Sequence, residues 1–178
     1  MRRPARRYRR LAAAIAQIHA RQVRVLAWRV TFIERNPLDP RGSCTYVGRW
    51  HNPDITPALY FARFRTTAVA EFLHHLYEPG VHQVQAVQAK IVLPTALDLT
   101  GHLPADLARY LERALVDSEW GRDRGGVLGG VAYDLGYSGI VAPSLRGRGV
   151  NIALFKGRRA RGVRTRIRKR VTFAVEVR

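Results

Sequence analysis

GRWHNPDITPALYFARFRTTAVAE, residues 48–71, changes character twice within one segment. Gly48, Arg49, Trp50, Asn52 and Pro53 mix turn formers with hydrogen-bond donors, as a loop does. Ala58–Ala62 (ALYFA) is an apolar run with an aromatic pair, which predicts a short buried strand. The period then becomes helical. Val69, Phe72, Leu73, Leu76 and Tyr77 recur at spacings of three and four, Thr66 or Thr67 stands where a cap belongs, and Glu71 falls near the helix start. A loop cation, a strand tyrosine and a helix acid thus follow in the order Arg49, Tyr60, Glu71.

Upstream, residues 23–32 (VRVLAWRVTF) alternate as a strand that puts Val25, Ala27 and Arg29 on one face. A guanidinium turned inward is costly unless paired, so Arg29 either meets an anion or lies at an edge facing solvent. Before it, the Ala-rich segment 9–22 carries Leu11, Ile15 and Ile18 at helical spacing and predicts a short amphipathic helix. Residues 36–57 contain four prolines and two glycines and read as one long irregular loop, a length that compact domains seldom carry without a use for it.

Downstream, residues 84–93 predict a strand stopped by Pro94, with a brief extended piece at 97–100. Helices follow at 104–116, with Pro104 in the first turn, and at 127–135, where Gly129 and Gly130 weaken the signal. Segments 139–142, 151–155 and 171–177 complete the strands, the last as a clean alternation of Val171, Phe173, Val175 and Val177 with Thr172, Ala174 and Glu176. Helices and strands interleave without strict βαβ order. The expected class is α+β, a single domain with a mixed or antiparallel sheet and flanking helices.

At 178 residues, 47% apolar and 25% charged, the composition is that of one ordinary globular domain. The formal charge of +18 is concentrated at the flanks. Residues 1–24 hold eight arginines and no acid, and 156–170 hold nine Lys or Arg and no acid, whereas 25–155 are nearly neutral. The chain therefore divides into a basic N-terminal extension with a short helix (1–22) and a body (23–178) that includes the basic segment 156–170. One cysteine, Cys44, allows no internal disulfide, and neither it nor the histidines have zinc spacing; His74 and His75, adjacent on a helix, point apart. The patch LAAAIA (11–16) is too interrupted by Gln17 and His19 for a secretory signal, and no run is long enough to span a bilayer, so a cytoplasmic setting is expected.

Arg29, Arg49, Tyr60, Glu71 and Ser144 are the candidates for chemistry. Two arginines beside an aromatic ring and a carboxylate suit a nucleotide, because the planar guanidinium fork matches phosphate oxygens. Each has a plainer reading: Arg49 as a solvated loop charge, Tyr60 as core packing, Glu71 as a helix-dipole partner, Ser144 as a turn residue after Pro143. The glycines of GGVLGG (125–130) lack dinucleotide-fold spacing and a suitable preceding strand. Those of the LRGRG loop, with Arg146 and Arg148, either approach an adenosine group or are solvated.

GRWHNP, ALYFA, TAVAE, GIVAPS and NIALF, in that order between Arg24 and Phe155, resemble the RES-domain family, named for its Arg, Glu and Ser. The resemblance implies a fold similar to that of ADP-ribosyltransferase toxins. It also implies cleavage of the nicotinamide–ribose bond of NAD, by hydrolysis or phosphorolysis, with NAD as substrate and no cofactor or metal. Matched residue by residue, the strand arginine is Arg29, the Gly-Arg-Trp arginine Arg49, the strand tyrosine Tyr60, the helix acid Glu71 and the late serine Ser144. By implication Arg29 and Arg49 hold the pyrophosphate, Tyr60 abuts nicotinamide, Glu71 stabilises the reacting ribose, and Ser144 positions ribose or amide. His51 departs from the family run, which passes directly from Arg-Trp to Asn, and shifts Asn52.

Family members are typically toxins neutralised by a helix-turn-helix antitoxin, so a hetero-complex or homo-oligomer is expected, with DNA contact through the tails or the partner and none with membrane. Two other functions compete. One is a basic nucleic-acid-binding module without enzymatic activity, with tails on phosphates and Arg49, Trp50 and Tyr60 stacking. The other is transfer of ADP-ribose to a macromolecule, which shares the first half of the cleavage reaction.

Overall fold

The computed structural model describes residues 3–44 and 48–177. In chain order they form α1 (Arg3–Ala16), β1 (Arg21–Phe32), a 3₁₀ turn (Arg41–Cys44), β2 (Ala58–Ala62), α2 (Arg65–His74), β3 (Gly80–Asp98), α3 (Ala105–Ala114), α4 (Glu119–Asp134), β4 (Gly139–Pro143), β5 (Val150–Phe155) and β6 (Arg164–Val177). The sheet order is β1-β2-β5-β4-β3-β6, antiparallel except where β4 runs parallel to β3. The fold is α+β with a mixed sheet, as the interleaved periodicities predict.

The sheet curls because β3 is long enough to serve three neighbours. One edge pairs with β1 from Arg21↔Ala96 to Phe32↔Val84; the other pairs with β6 and then, at Ala96–Asp98, with β4. The β1–β3 ladder closes five strands into a barrel, and β6 extends beyond it as an edge. Inside lie Ala27, Leu59, Phe61, Ile91, Leu93, Ile152 and Leu154, all but fully buried, the larger ones each contributing about 1.5–3 kcal/mol of burial. Helices α1, α3 and α4 cover one outer face through Leu11, Ile15, Leu107, Leu111 and Leu128. Helix α2 covers another with Ala68, Val69 and Phe72 against Val30 and Ala86.

Several boundaries differ from expectation for identifiable reasons. Pro94 does not stop its strand: it falls at a register shift toward β1, and between the last β6 rung (Val92↔Arg164) and the first β4 rung (Ala96↔Gly139). Its missing N–H therefore breaks no ladder bond, and residues 84–93 and 97–98 are parts of one strand that ends at Asp98, short of the expected 100. The α2 cap is Phe64, without a side-chain bond. Thr67 instead lies buried inside the helix and donates to the Arg148 carbonyl at 2.8 Å, while Leu73 and Tyr77 of the expected stripe are exposed. Segment 156–170 is half strand: Arg164 to Arg170 belong to β6. The first helix starts earlier and ends sooner than 9–22 and docks on the body, with the Tyr137 hydroxyl donating to the Ile18 carbonyl at 2.8 Å. Among the described residues, no helix is long and apolar enough to cross a membrane.

The glycines that weakened the helical signal of α4 have a packing use. Ser118 caps the helix by accepting from the Gly121 N–H, and the helix runs on through Asp134. A Cβ at Gly125 would lie 1.9 Å from the Arg49 carbonyl oxygen, and one at Gly129 would lie 2.1 Å from that of Trp50. Helix α4 can therefore rest directly on the backbone of the Gly-Arg-Trp loop. Gly129→Ala is expected to lower the unfolding free energy by about 2 kcal/mol through this overpacking. Val127→Ala, on the exposed side of the same helix, should stay within about 0.5 kcal/mol in the same urea titration.

Candidate active site

Strands β1 and β2 pair at a single position, Trp28↔Ala62, and then part. A cleft of about 290 Å³ opens there, lined by Arg29, Arg49, Tyr60, Glu71, Arg146 and Asn151 among others. Four of the five residues singled out in the sequence line it, and the fifth, Ser144, reaches it through Glu71.

Arg29 continues the inward row of Val23, Val25 and Ala27 and so ends up at the mouth of the barrel, not at a solvated edge. One terminal nitrogen donates to the Tyr60 carbonyl at 3.1 Å, and Nε is buried without a partner. Burial lowers its pKa to about 10, with Tyr60 and Asp39 opposing the shift. The side chain remains cationic at neutral pH, with a donor unused.

Glu71 lies on the cleft side of α2. Its Oε1 accepts from Ser144 Oγ at 2.7 Å and from Asn151 Nδ2 at 2.5 Å. Ser144 Oγ in turn accepts from the Arg146 N–H at 3.1 Å, which aims its proton at the carboxylate. Asn151 is delivered by the β5 register, opposite Ala142 on one side and Ala62 on the other. Among the described residues Oε2 of Glu71 has no donor. One carboxylate oxygen is clamped and the other is open.

Tyr60 does more than line the wall. Its hydroxyl accepts from the Trp50 N–H at 2.9 Å and meets His51 Nδ1 at 2.8 Å, while His51 Nε2 lies 2.8 Å from the Ser43 carbonyl. That carbonyl can only accept, so Nε2 carries the proton, and in the neutral ring Nδ1 accepts from Tyr60. Burial raises the tyrosine pKa, keeping the phenol protonated. His51, the residue that departs from the family run, is thus buried and ties the loop to β2. Gly48 makes room for it, since a Cβ there would fall 2.4 Å from the imidazole. Asn52 only closes a turn, accepting from the Asp54 N–H at 3.0 Å.

Arg49 points toward the C-terminus of α3, donating to the carbonyls of Ala114 at 2.6 Å and Val116 at 3.1 Å. Burial lowers its pKa, and Asp117, 3.5 Å away, works against that shift. Asp117 also pairs with Arg146, whose guanidinium holds its carboxyl below the usual range, and Arg146 lies 2.7 Å from His74 Nε2. This cluster joins the α3–α4 loop to the β4–β5 loop across the rim. The sequence marks His51 only as an irregularity of the motif and does not single out Asn151 or Asp117. A polar residue opening an otherwise apolar strand is the available signal for Asn151; Asp117 gives none. Among the described residues, no three His, Cys, Asp or Glu side chains are grouped to hold a metal ion.

The RES domain family model matches residues 5–176. Among solved structures, the chain superposes on the toxin of the M. tuberculosis MbcT-MbcA toxin-antitoxin complex with a TM-score of 0.67 at 18% identity, over 92% of this chain and 91% of that one. No curated protein sequence matches it significantly. The matched span includes the docked N-terminal helix and the basic edge strand as well as the cleft, and the chain belongs to the RES-domain family.

Proposed function

We propose that the cleft cleaves the bond between nicotinamide and ribose in NAD, and that the chain acts as the toxin of a toxin–antitoxin pair. The observation that carries the enzymatic reading is the pairing of a half-clamped carboxylate, Glu71, with a buried arginine that has an unused donor, Arg29, in one cleft. A ribosyl cation needs the first and a pyrophosphate needs the second.

As the bond breaks, its electron pair leaves with nicotinamide, which departs neutral, and positive charge develops on the ribose. A fixed carboxylate beside that centre lowers the barrier because its orientation is set before reaction. Ser144 and Asn151 hold Oε1, so Oε2 is the atom that faces the ribose or takes the proton of an attacking water. With water as acceptor the products are ADP-ribose, nicotinamide and one proton; with phosphate the ribose C1 becomes phosphorylated. Arg29 holds the pyrophosphate, with Arg49 and Arg146 adding positive potential from the opposite wall. The Tyr60 hydroxyl is committed to the loop, so its ring is what it offers nicotinamide. The resemblance to a toxin from a toxin–antitoxin complex supports an antitoxin partner, and we take that partner to be of the helix-turn-helix type usual in the family.

Incubation with NAD, with and without phosphate, identifies the acceptor by its products, and radiolabel appearing on protein or nucleic acid instead would indicate ADP-ribosyl transfer. Glu71→Gln should reduce nicotinamide release at least about 100-fold; activity within a few-fold of wild type would overturn the reading. Asn151→Ala, which removes one of the two donors that clamp the carboxylate, should cost about 10-fold or more in kcat with little change in KM. Arg29→Ala should act mainly on KM, measured in the same assay.

A further inference from the structure

Away from the cleft, the outer face of β1–β3–β6 carries an unpaired basic surface. The registers align three rungs: Arg24↔Val92↔Arg164, Leu26↔Lys90↔Arg166 and Trp28↔Gln88↔Lys169. Residues in register share a face, successive same-face rungs are about 6.7 Å apart, and neighbouring strands are about 4.8 Å apart. Arg24, Lys90, Arg164, Arg166 and Lys169 are all exposed. The only acids on these strands, Asp98 and Glu176, sit at the far ends of β3 and β6, and Asp98 is occupied by Arg21. None of the five cations has an acidic partner among the described residues. Helix α2 covers the neighbouring apolar half of the same face, around Val30, Ala86 and Phe173, and leaves this half open.

We propose that this face binds the phosphate backbone of nucleic acid without reading its sequence. The centre of the patch is charged, with Leu26 as its one strongly exposed apolar side chain. Protein–protein interfaces have the opposite anatomy, an apolar core depleted of charge inside a polar rim. Rows of Arg and Lys repeating along three paired strands suit a regular line of phosphates, which positions a protein without specifying bases. The five positions lie on rigid strands, so little side-chain-bearing backbone has to be ordered on binding. The surface is independent of NAD cleavage, and neither reading requires the other.

The test uses the full chain without NAD and a labelled DNA duplex of arbitrary sequence, followed by anisotropy between about 50 and 200 mM salt. Lys90→Gln/Arg164→Gln/Arg166→Gln is compared with Arg9→Gln/Arg109→Gln/Arg113→Gln, which removes equal charge from the helical layer. The face variant should flatten the slope of log K against log salt by about 2 to 3, at about 0.9 per phosphate contact, while the helical variant changes it by less than about 1. Equal losses, no loss, or tighter binding of polyglutamate than of duplex would overturn the proposal. Lysine acetylation of the wild-type protein supplies a check that does not depend on variants folding. The duplex should protect Lys90 and Lys169 and leave Lys156 unchanged, and an unprotected Lys90 would equally sink the idea.

Discussion

A guanidinium at the end of an apolar barrel has to be compensated, and Arg29 is compensated only in part. It has one carbonyl acceptor and a buried nitrogen with none. An unsatisfied buried polar atom costs on the order of 1–3 kcal/mol, more when charged. Folding can carry that cost because the barrel is otherwise closed and well filled, from Ala27 through Ile91 and Leu154. The strain on stability and the affinity for an anion are then one property, since whatever supplies negative charge at that point relieves the deficit. Splaying of β1 from β2 after one shared rung leaves this point open to the cleft.

The opposite wall is set by close packing. Because Gly125 and Gly129 bring α4 against the carbonyls of Arg49 and Trp50, the loop cannot move away without opening a gap under the helix. From the other side the Tyr60 hydroxyl and His51 fix the same loop to β2 and to Ser43. The loop is therefore held between a helix and a strand, and Arg49 is placed by backbone contacts on both sides. Two of its own bonds go to carbonyls at the end of α3, where the helix dipole already favours a cation. Arg49 is thus secured structurally, whereas Arg29 keeps spare capacity. The two arginines share a cleft and have unequal freedom to meet a ligand.

What could be read from the sequence follows from the range of the interaction that decides each feature. The β2 strand, α3 with Pro104 at its start, and the alternation of residues 171–177 rest on local periodicity and were legible. So was the turn of Arg29 toward the interior as one of two options; choosing between them needed the β1–β3 ladder, which spans some sixty residues of chain. Pro94 carries a stop signal that the strand does not obey, because a proline is harmless where no ladder bond is due, and only the register shows that none is. GGVLGG shortens the expected helix because its glycines answer to a loop more than seventy residues earlier. His51 was noticed as an irregularity of the motif, but its role as the bolt under Tyr60 depends on Ser43 coming within reach.

The same distinction explains the charge. Read along the chain, residues 156–170 are a basic run, and basic runs are usually solvated tails. In the fold, Arg164 to Arg170 form the first half of an edge strand whose second half packs Phe173 and Val175 into the cluster under α2. An uncovered edge strand invites pairing with other chains, and Lys or Arg on it prevents this, so part of the charge protects the fold. Edge protection does not, however, call for Lys90 and Arg24, which sit on interior strands and face outward in the same patch. Five like charges brought within a few rungs repel one another. A sheet that tolerates this on its open half, and neutral packing on its covered half, is arranged for a counter-charge that arrives from outside.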